Sequence, residues 1–263
     1  MPELPEVVVR KRLLDEYAVG REILRVRVVD KRIINGLSVR LLKRRLEGAV
    51  IKRVHRHGKY LFGELSTGGH LAWHFGMTGR LAYIPAEQPK PRHTKLLLEM
   101  DGGSVAFMCP RLFGWVSVID NINEFIAARK LGPDALDSGL TRRRFVSMLA
   151  GRRGKLKAVL LDQSFVAGVG NLWADETCFQ ARMHPAAAIE KLDEDRCRLV
   201  YGTMRRVLKR AVSGGGDESK LPRGWLLPHR HGDGLCPRCG GDLSTAKVAG
   251  RTSWFCDNCQ SDS

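Results

Sequence analysis

Apolar residues recur every third or fourth position in EVVVRKRLLDEYA, directly after Pro5, and this spacing predicts a helix over 6–18. Pro5 suits a first helical turn, and Glu6 suits the positive end of the helix dipole. From about 22 to 119 the pattern shortens to strand-like runs: EILRVRVVDK, AVIKRVHRH, KYLFGEL, GHLAWHF, KLLLEM and GWVSVI, parted by Gly-rich or Pro-rich turns. One short helix, around SVRLLKRRLEG, interrupts them. LGPDALDSG (131–139) has the composition of a linker, and after it the period returns to that of helices. TRRRFVSMLAG, KAVLLDQSF, NLWADETCFQA and DEDRCRLVYGTMRRVLKRAV all read as helical. In the last, Cys197, Val200, Met204, Val207, Leu208 and Ala211 share one face. SGGGDESKLPRG (213–224) reads as flexible. The pattern predicts an α+β chain of several domains: a leading helix with a β-sandwich over 1–130, a linker over 131–140, a helical domain over 141–228 and a small terminal module over 229–263.

Charge narrows the class of partner. Forty-four Lys and Arg against 28 Asp and Glu leave +16, a field that draws polyanions, nucleic acid first among them. No run of about 18 apolar residues is present, so a membrane span is not expected. The start of the chain lacks a basic stretch followed by an apolar one, so no secretion signal is expected and the cytoplasm, in association with the nucleoid, is the expected location. The cysteines are read as belonging to a reducing compartment, with Cys109, Cys178 and Cys197 as small buried apolar residues.

The other four cysteines follow C-x2-C-x16-C-x2-C, at Cys236, Cys239, Cys256 and Cys259, around a stretch suited to a hairpin turning near Ala249-Gly250. Two thiolate pairs at this spacing close a tetrahedral Zn²⁺ shell. With all four places filled by thiolate, none is left for water, and one structural zinc is expected. The hairpin tip would present Lys247 and Arg251.

Two further stretches carry candidate chemistry. In VAGVGN, Gly168 and Gly170 allow close backbone approach and Asn171 can begin a helix whose free amides bind phosphate; an ordinary helical hairpin reads the same way. The start, MPELPE, places proline after a methionine that is usually removed. Pro2 would then carry a secondary amine, and an α-amino group near pKa 8, against about 10.4 for lysine, is far more often unprotonated at neutral pH. Its attack on a sugar carbon gives an iminium, with Glu3 placed to move protons. MPE is also a common start with no chemistry attached.

MPELPEV, GKYLFGEL, FGMTGRL, PRLFG, LGPDAL, KAVLLDQSFVAGVGNLWADE and the four-cysteine module occur in this order. Together they resemble, from end to end, the formamidopyrimidine-DNA glycosylase and endonuclease VIII family of base-excision repair enzymes. Leu4 resembles the formamidopyrimidine branch. The resemblance implies a β-sandwich domain followed by a helix–two-turn–helix domain and a zinc finger. It implies a bifunctional glycosylase and AP lyase that removes oxidised purines such as 8-oxoguanine and formamidopyrimidines by β,δ-elimination. Pro2 matches the nucleophile, Glu3 its acid/base partner, Lys59 the lysine that contacts phosphate and assists β-elimination, and Arg251 the finger arginine tied to δ-elimination. Met77, Arg111 and Phe113 match the residues that fill the void left by an extruded base. Asn171 matches a residue that binds backbone phosphate, and His93, Lys157 and the pair Arg152-Arg153 match or neighbour other phosphate contacts. The other histidines receive no role.

Three departures stand out. Cys109 occupies the usual aspartate position before PRxFG. Lys95 replaces a second histidine and is expected to keep its charge toward phosphate. The stretch between Ala211 and Cys236 is shorter than the loop that covers 8-oxoguanine in the purine enzymes. An endonuclease VIII-like preference for oxidised pyrimidines or single-stranded DNA therefore stays open, as does a non-catalytic damaged-DNA binder. The expected partner is damaged double-stranded DNA, met by a monomer with no membrane and no small-molecule cofactor.

Overall fold

The computed structural model describes residues 2–260. Its first helix, α1 (Leu4–Tyr17), begins earlier than the apolar spacing predicts, because a proline in the first turn has no amide that the helix would need to satisfy. The chain divides into two compact units, one of Pro2 and Glu6–Arg129, the other of Glu3–Pro5 and the residues from Lys130 onward.

The first unit holds two four-stranded antiparallel sheets. One has β2 (Ile51–His57), β3 (Tyr60–Leu65), β4 (His70–His74) and β8 (Trp115–Ile119) in that order; the other runs β1 (Ile23–Val28), β6 (Thr94–Met100), β7 (Gly103–Met108), β5 (Arg80–Pro85). β5 and β7 were not among the expected strands: RLAYIP carries a proline and GSVAFM opens on small residues, so each lacks a β-branched run. Both pair along their whole length through Ala82↔Ala106 and its neighbours. One cluster of buried residues includes Val7 and Leu14 of α1, Leu42 and Leu46 of α2 (Val39–Leu46), and Leu61, Trp73, Phe75, Phe107 and Val116 from the strands and their ends. A further helix, α3 (Ile122–Ala128), is capped by the Asn121 side chain, which accepts from the Asn123 and Glu124 amides.

The second unit is helical, with α4 (Arg142–Ala150), α5 (Leu156–Leu161), α6 (Asn171–Gln180) and α7 (Glu194–Ser213), followed by the hairpin of β9 (Ser244–Val248) and β10 (Arg251–Phe255). The apolar face read from α7 is buried, from Cys197 through Ala211. The stretch with linker composition is not a loose tether. Ala135 and Leu140 are fully buried, and the Gly132 and Ala135 amides donate to the Gln163 and Ala167 carbonyls at 2.8 and 3.0 Å. The 213–224 stretch likewise forms a short 3-10 turn at Glu218–Lys220, capped by Asp217. Small polar residues mark turns as readily as linkers, and only the partners decide. Among the described residues, no helix is long and apolar enough to cross a membrane.

Candidate active site and metal centre

Pro2 is buried just ahead of α1. Glu3, 1% exposed, turns its carboxylate onto the start of α6: Oε1 accepts from the Leu172 amide at 2.9 Å and Oε2 from the Trp173 amide at 3.3 Å. The local sequence makes this possible, since a Cβ on Gly170 would run into the Glu3 carboxyl group. Amides at the positive end of a helix suit an anionic acceptor. The helix terminus that the glycines expose therefore serves a carboxylate of this same chain at these two amides, where the sequence suggested a phosphate.

Asn171 is half-buried beside them, and its Nδ2 donates to the Thr252 carbonyl of β10 at 3.3 Å, leaving a second hydrogen on that nitrogen. Arg251 is exposed at the first position of β10, after a two-residue turn in which Ala249 and Gly250 both take positive φ, 48° and 70°. Such a turn matches the twist of a tight hairpin.

Lys157 requires a correction. As a phosphate contact it would have to reach solvent, yet its side chain is 0% exposed and its ammonium lies 2.6 Å from Asp175, itself 0% exposed. It also donates to the Thr252 carbonyl at 3.1 Å and to Ser253 Oγ at 2.8 Å. Asp175 in turn accepts from the Trp254 amide at 3.2 Å and pairs with Arg230 at 3.0 Å. Burial pushes the Lys157 ammonium down and the Asp175 carboxyl up, and their mutual attraction opposes both shifts. This buried array fixes the strand that begins with Arg251 onto α5 and α6. Removing one partner of a buried ion pair strands the other charge, so Lys157→Met is expected to cost about 3 kcal/mol in denaturant unfolding; an unchanged midpoint would contradict that role.

Lys95 is corrected too. It is 3.4 Å from Asp30, which also binds Arg32, and Arg32 first, then Lys95, hold that carboxyl well below its ordinary range. Its charge is committed within the fold. Arg152 is bound to Asp162 at 2.5 Å and lies over the Phe165 ring, whereas Arg153 stands exposed.

In the first unit, Lys59 is half-buried at the β2–β3 turn. His74 sits close enough for burial, then Arg129 and Lys59, to lower its pKa to about 4. Met77 and Phe113, which pattern alone would assign to the core, are 41% and 55% exposed. Arg111 is exposed with its guanidinium over the Phe113 ring. The two turns touch: Gly76 has φ 55°, and a Cβ there would enter the backbone of Phe113 and Gly114. Cys109 closes the second turn, its sulfur accepting from the Gly114 amide at 3.3 Å and its own amide donating to the carbonyl of exposed His93 at 3.1 Å. The Cys109 sulfur thus serves this turn as an acceptor for the Gly114 amide.

Sequence reasoning missed Asp175, Arg230 and Glu176. Glu176 is fully buried and accepts from the Leu226 and Leu227 amides at 3.3 and 2.9 Å. Burial raises its pKa to about 7. Two adjacent acids inside the otherwise apolar run LWADETCF were the available signal.

The four cysteine sulfurs lie within 4.8 Å of one another. The Cys236–Cys259 and Cys239–Cys256 separations are 3.8 and 3.5 Å, close to the edge of about 3.8 Å expected for a tetrahedron with metal–sulfur bonds near 2.3 Å. The donor set fits a metal ion.

Comparison with known proteins agrees with this architecture. Residues 1–116 match the N-terminal domain of formamidopyrimidine-DNA glycosylase, 131–222 its helix–two-turn–helix domain, and 235–261 a zinc finger found in that glycosylase and in isoleucyl-tRNA synthetase. These matches define a bifunctional DNA glycosylase and AP lyase of base-excision repair. Formamidopyrimidine-DNA glycosylases of Pelotomaculum thermopropionicum and Symbiobacterium thermophilum are 32% and 36% identical over 99% of this chain, covering 99% and 89% of their own lengths. The Lactococcus lactis enzyme, solved as a variant in complex with DNA containing a formamidopyrimidine lesion, superposes with a TM-score of 0.89 at 29% identity, covering 99% of this chain and 100% of that one. The chain belongs to the formamidopyrimidine-DNA glycosylase family.

Proposed function

We infer that the protein excises oxidised purines, 8-oxoguanine and formamidopyrimidines among them, from duplex DNA and then cuts the strand on both sides of the abasic sugar. What carries this reading is a match to formamidopyrimidine-DNA glycosylases along 99% of the chain. It is supported by a Pro2-Glu3 start in which the glutamate is buried against two helix amides.

The Pro2 nitrogen attacks C1′ of the damaged nucleotide. The N-glycosidic bond breaks, and the base leaves with the bonding electrons and gains a proton. Opening of the sugar, with a proton to O4′ and loss of the amine proton, gives an iminium. That cation acidifies the C2′ hydrogen, whose removal expels the 3′ phosphate. Loss of the C4′ hydrogen then expels the 5′ phosphate, and water frees the amine. Glu3 carries protons in these steps, held in one orientation by its two amide donors. Lys59 contacts phosphate and assists the first elimination, and Arg251 grips a phosphate beside the lesion for the second. Met77, Arg111 and Phe113 occupy the gap left in the duplex, which their exposure allows. Cys236, Cys239, Cys256 and Cys259 hold one zinc ion as scaffold, and damaged duplex DNA is the partner, met by a single chain.

A second reading, that oxidised pyrimidines are also accepted, is favoured by the short segment after α7, whose Leu226 and Leu227 amides are pinned by Glu176. Base release from matched duplexes carrying 8-oxoguanine, a formamidopyrimidine or an oxidised thymine decides the order. The purine reading expects the first two to be released at least about tenfold faster. Faster release of the thymine lesion would reverse it.

A further inference from the structure

The turn that carries Met77 is held from outside by a residue with no place in the chemistry above. Its own closure is one backbone bond, from the Gly79 amide to the Phe75 carbonyl at 2.8 Å. Arg10, on α1, adds two more from a single side chain: Nε and Nη2 donate to the Gly79 carbonyl at 3.2 and 2.9 Å. Its Nη1 donates to the Glu6 carbonyl one helical turn back, at 2.6 Å. The guanidinium plane also lies over the Phe75 ring, 4.9 Å from its centroid, and Phe75 is packed in the core at 1% exposure. Arg10 therefore grips both ends of the segment Phe75–Gly79 and ties them to the helix that follows Pro2. Burial lowers its pKa to about 10, Glu6 opposing and Arg80 adding to the shift, so the guanidinium stays charged at neutral pH. A planar fork with several donors suits this arrangement, and a lysine ammonium could not reproduce it.

We propose that Arg10 is a positioning residue that locks the Met77 turn to α1, so that the residue filling the DNA void is held in register with the helix that follows the nucleophile. This rests on the reading of Met77 given above. An apolar wedge works only if its turn resists the force of the stacked bases. Without Arg10, the backbone bond, the contact of the Gly76 amide with His74 Nδ1 at 3.3 Å, the core packing of Phe75 and the packing of Gly76 on the Phe113 turn still hold it, but none of these ties Gly79 to α1.

The test uses the full-length protein as wild type, Arg10→Ala, Arg10→Lys, Met77→Ala and the Arg10→Ala/Met77→Ala double variant. Amide hydrogen exchange without DNA is expected to quicken across residues 75–79 in Arg10→Ala while the sheets keep their protection. Release of 8-oxoguanine is expected to fall about tenfold, the size of losing charge-assisted hydrogen bonds. Cleavage at a preformed abasic site, where no base has to be driven from the stack, is expected to fall by less than about twofold on the same scale. Arg10→Lys lies between the two. In the Met77→Ala background, Arg10→Ala adds nothing to the loss of base release. Unchanged exchange at 75–79, equal loss on both substrates, or losses that multiply in the double variant would each overturn the proposal. A wild-type protein that releases no base would overturn the proposed function instead, and the exchange comparison would still decide what Arg10 does.

Discussion

Acylating the nitrogen of Pro2, by a retained methionine or an amino-terminal tag, is expected to abolish strand cleavage while leaving binding to lesion duplexes within about twofold. The reason is electronic. In a peptide bond the nitrogen lone pair is delocalised into the carbonyl, so no nucleophile remains. Losses on removing a covalent nucleophile commonly exceed about a thousandfold. Affinity, by contrast, comes from an excess of +16 charges that the modification leaves almost untouched. Pro2→Ala is the milder case, because a freed alanine still offers a primary α-amine; its rate is expected to fall without vanishing. Gel-shift titration and nicking of one labelled duplex, run side by side, separate the two quantities. Full cleavage by a protein verified to carry an acylated Pro2 would remove proline from the mechanism.

Stripping the proposed zinc is expected to have the second large effect. The finger has few means of its own for staying folded: two five-residue strands, and a small core in which Cys236 and Cys256 themselves pack with Phe179 and Leu226. A structural zinc site of four thiolates contributes about 10 kcal/mol or more of folding free energy. Chelation is therefore expected to unpack the module, shift the fluorescence of Trp254, and weaken DNA binding at least about tenfold through loss of the ordered Arg251 hairpin. Second-step cleavage should fail before the first, since the proposed function ties it to Arg251. A protein that keeps full activity with less than about one-tenth of a metal ion per chain would contradict the scaffold role.

How far the sequence could be read depends on what kind of information each feature carries. Periodicity located α1, α7 and most of the strands, because burial of one face repeats at a fixed interval. The four cysteines declared their cluster through spacing alone. Met77 and Phe113 were opaque to pattern: an apolar residue at a turn reads as core, and only a resemblance over the whole chain indicated that it should face outward, as the structure finds. Lys157 failed in the opposite direction. The resemblance alone marked it as a phosphate contact, and nothing local shows that Asp175, eighteen residues on, buries with it. The segment 131–140 looked like a linker because glycine, proline and aspartate serve tethers and tight turns alike, and its partners at Gln163 and Ala167 are remote in sequence. Arg10 was invisible for the same reason, its acceptor lying 69 positions away.

The central claim is that an amine on Pro2 forms a covalent bond to the sugar. Borohydride reduction in the presence of a duplex bearing an abasic site or 8-oxoguanine tests it directly, with the adduct digested and its mass located on the chain. The account predicts one cross-linked product whose added mass maps to Pro2, formed with both duplexes and absent from acylated protein. An adduct on a lysine, or none from active protein with a free proline terminus, would contradict it.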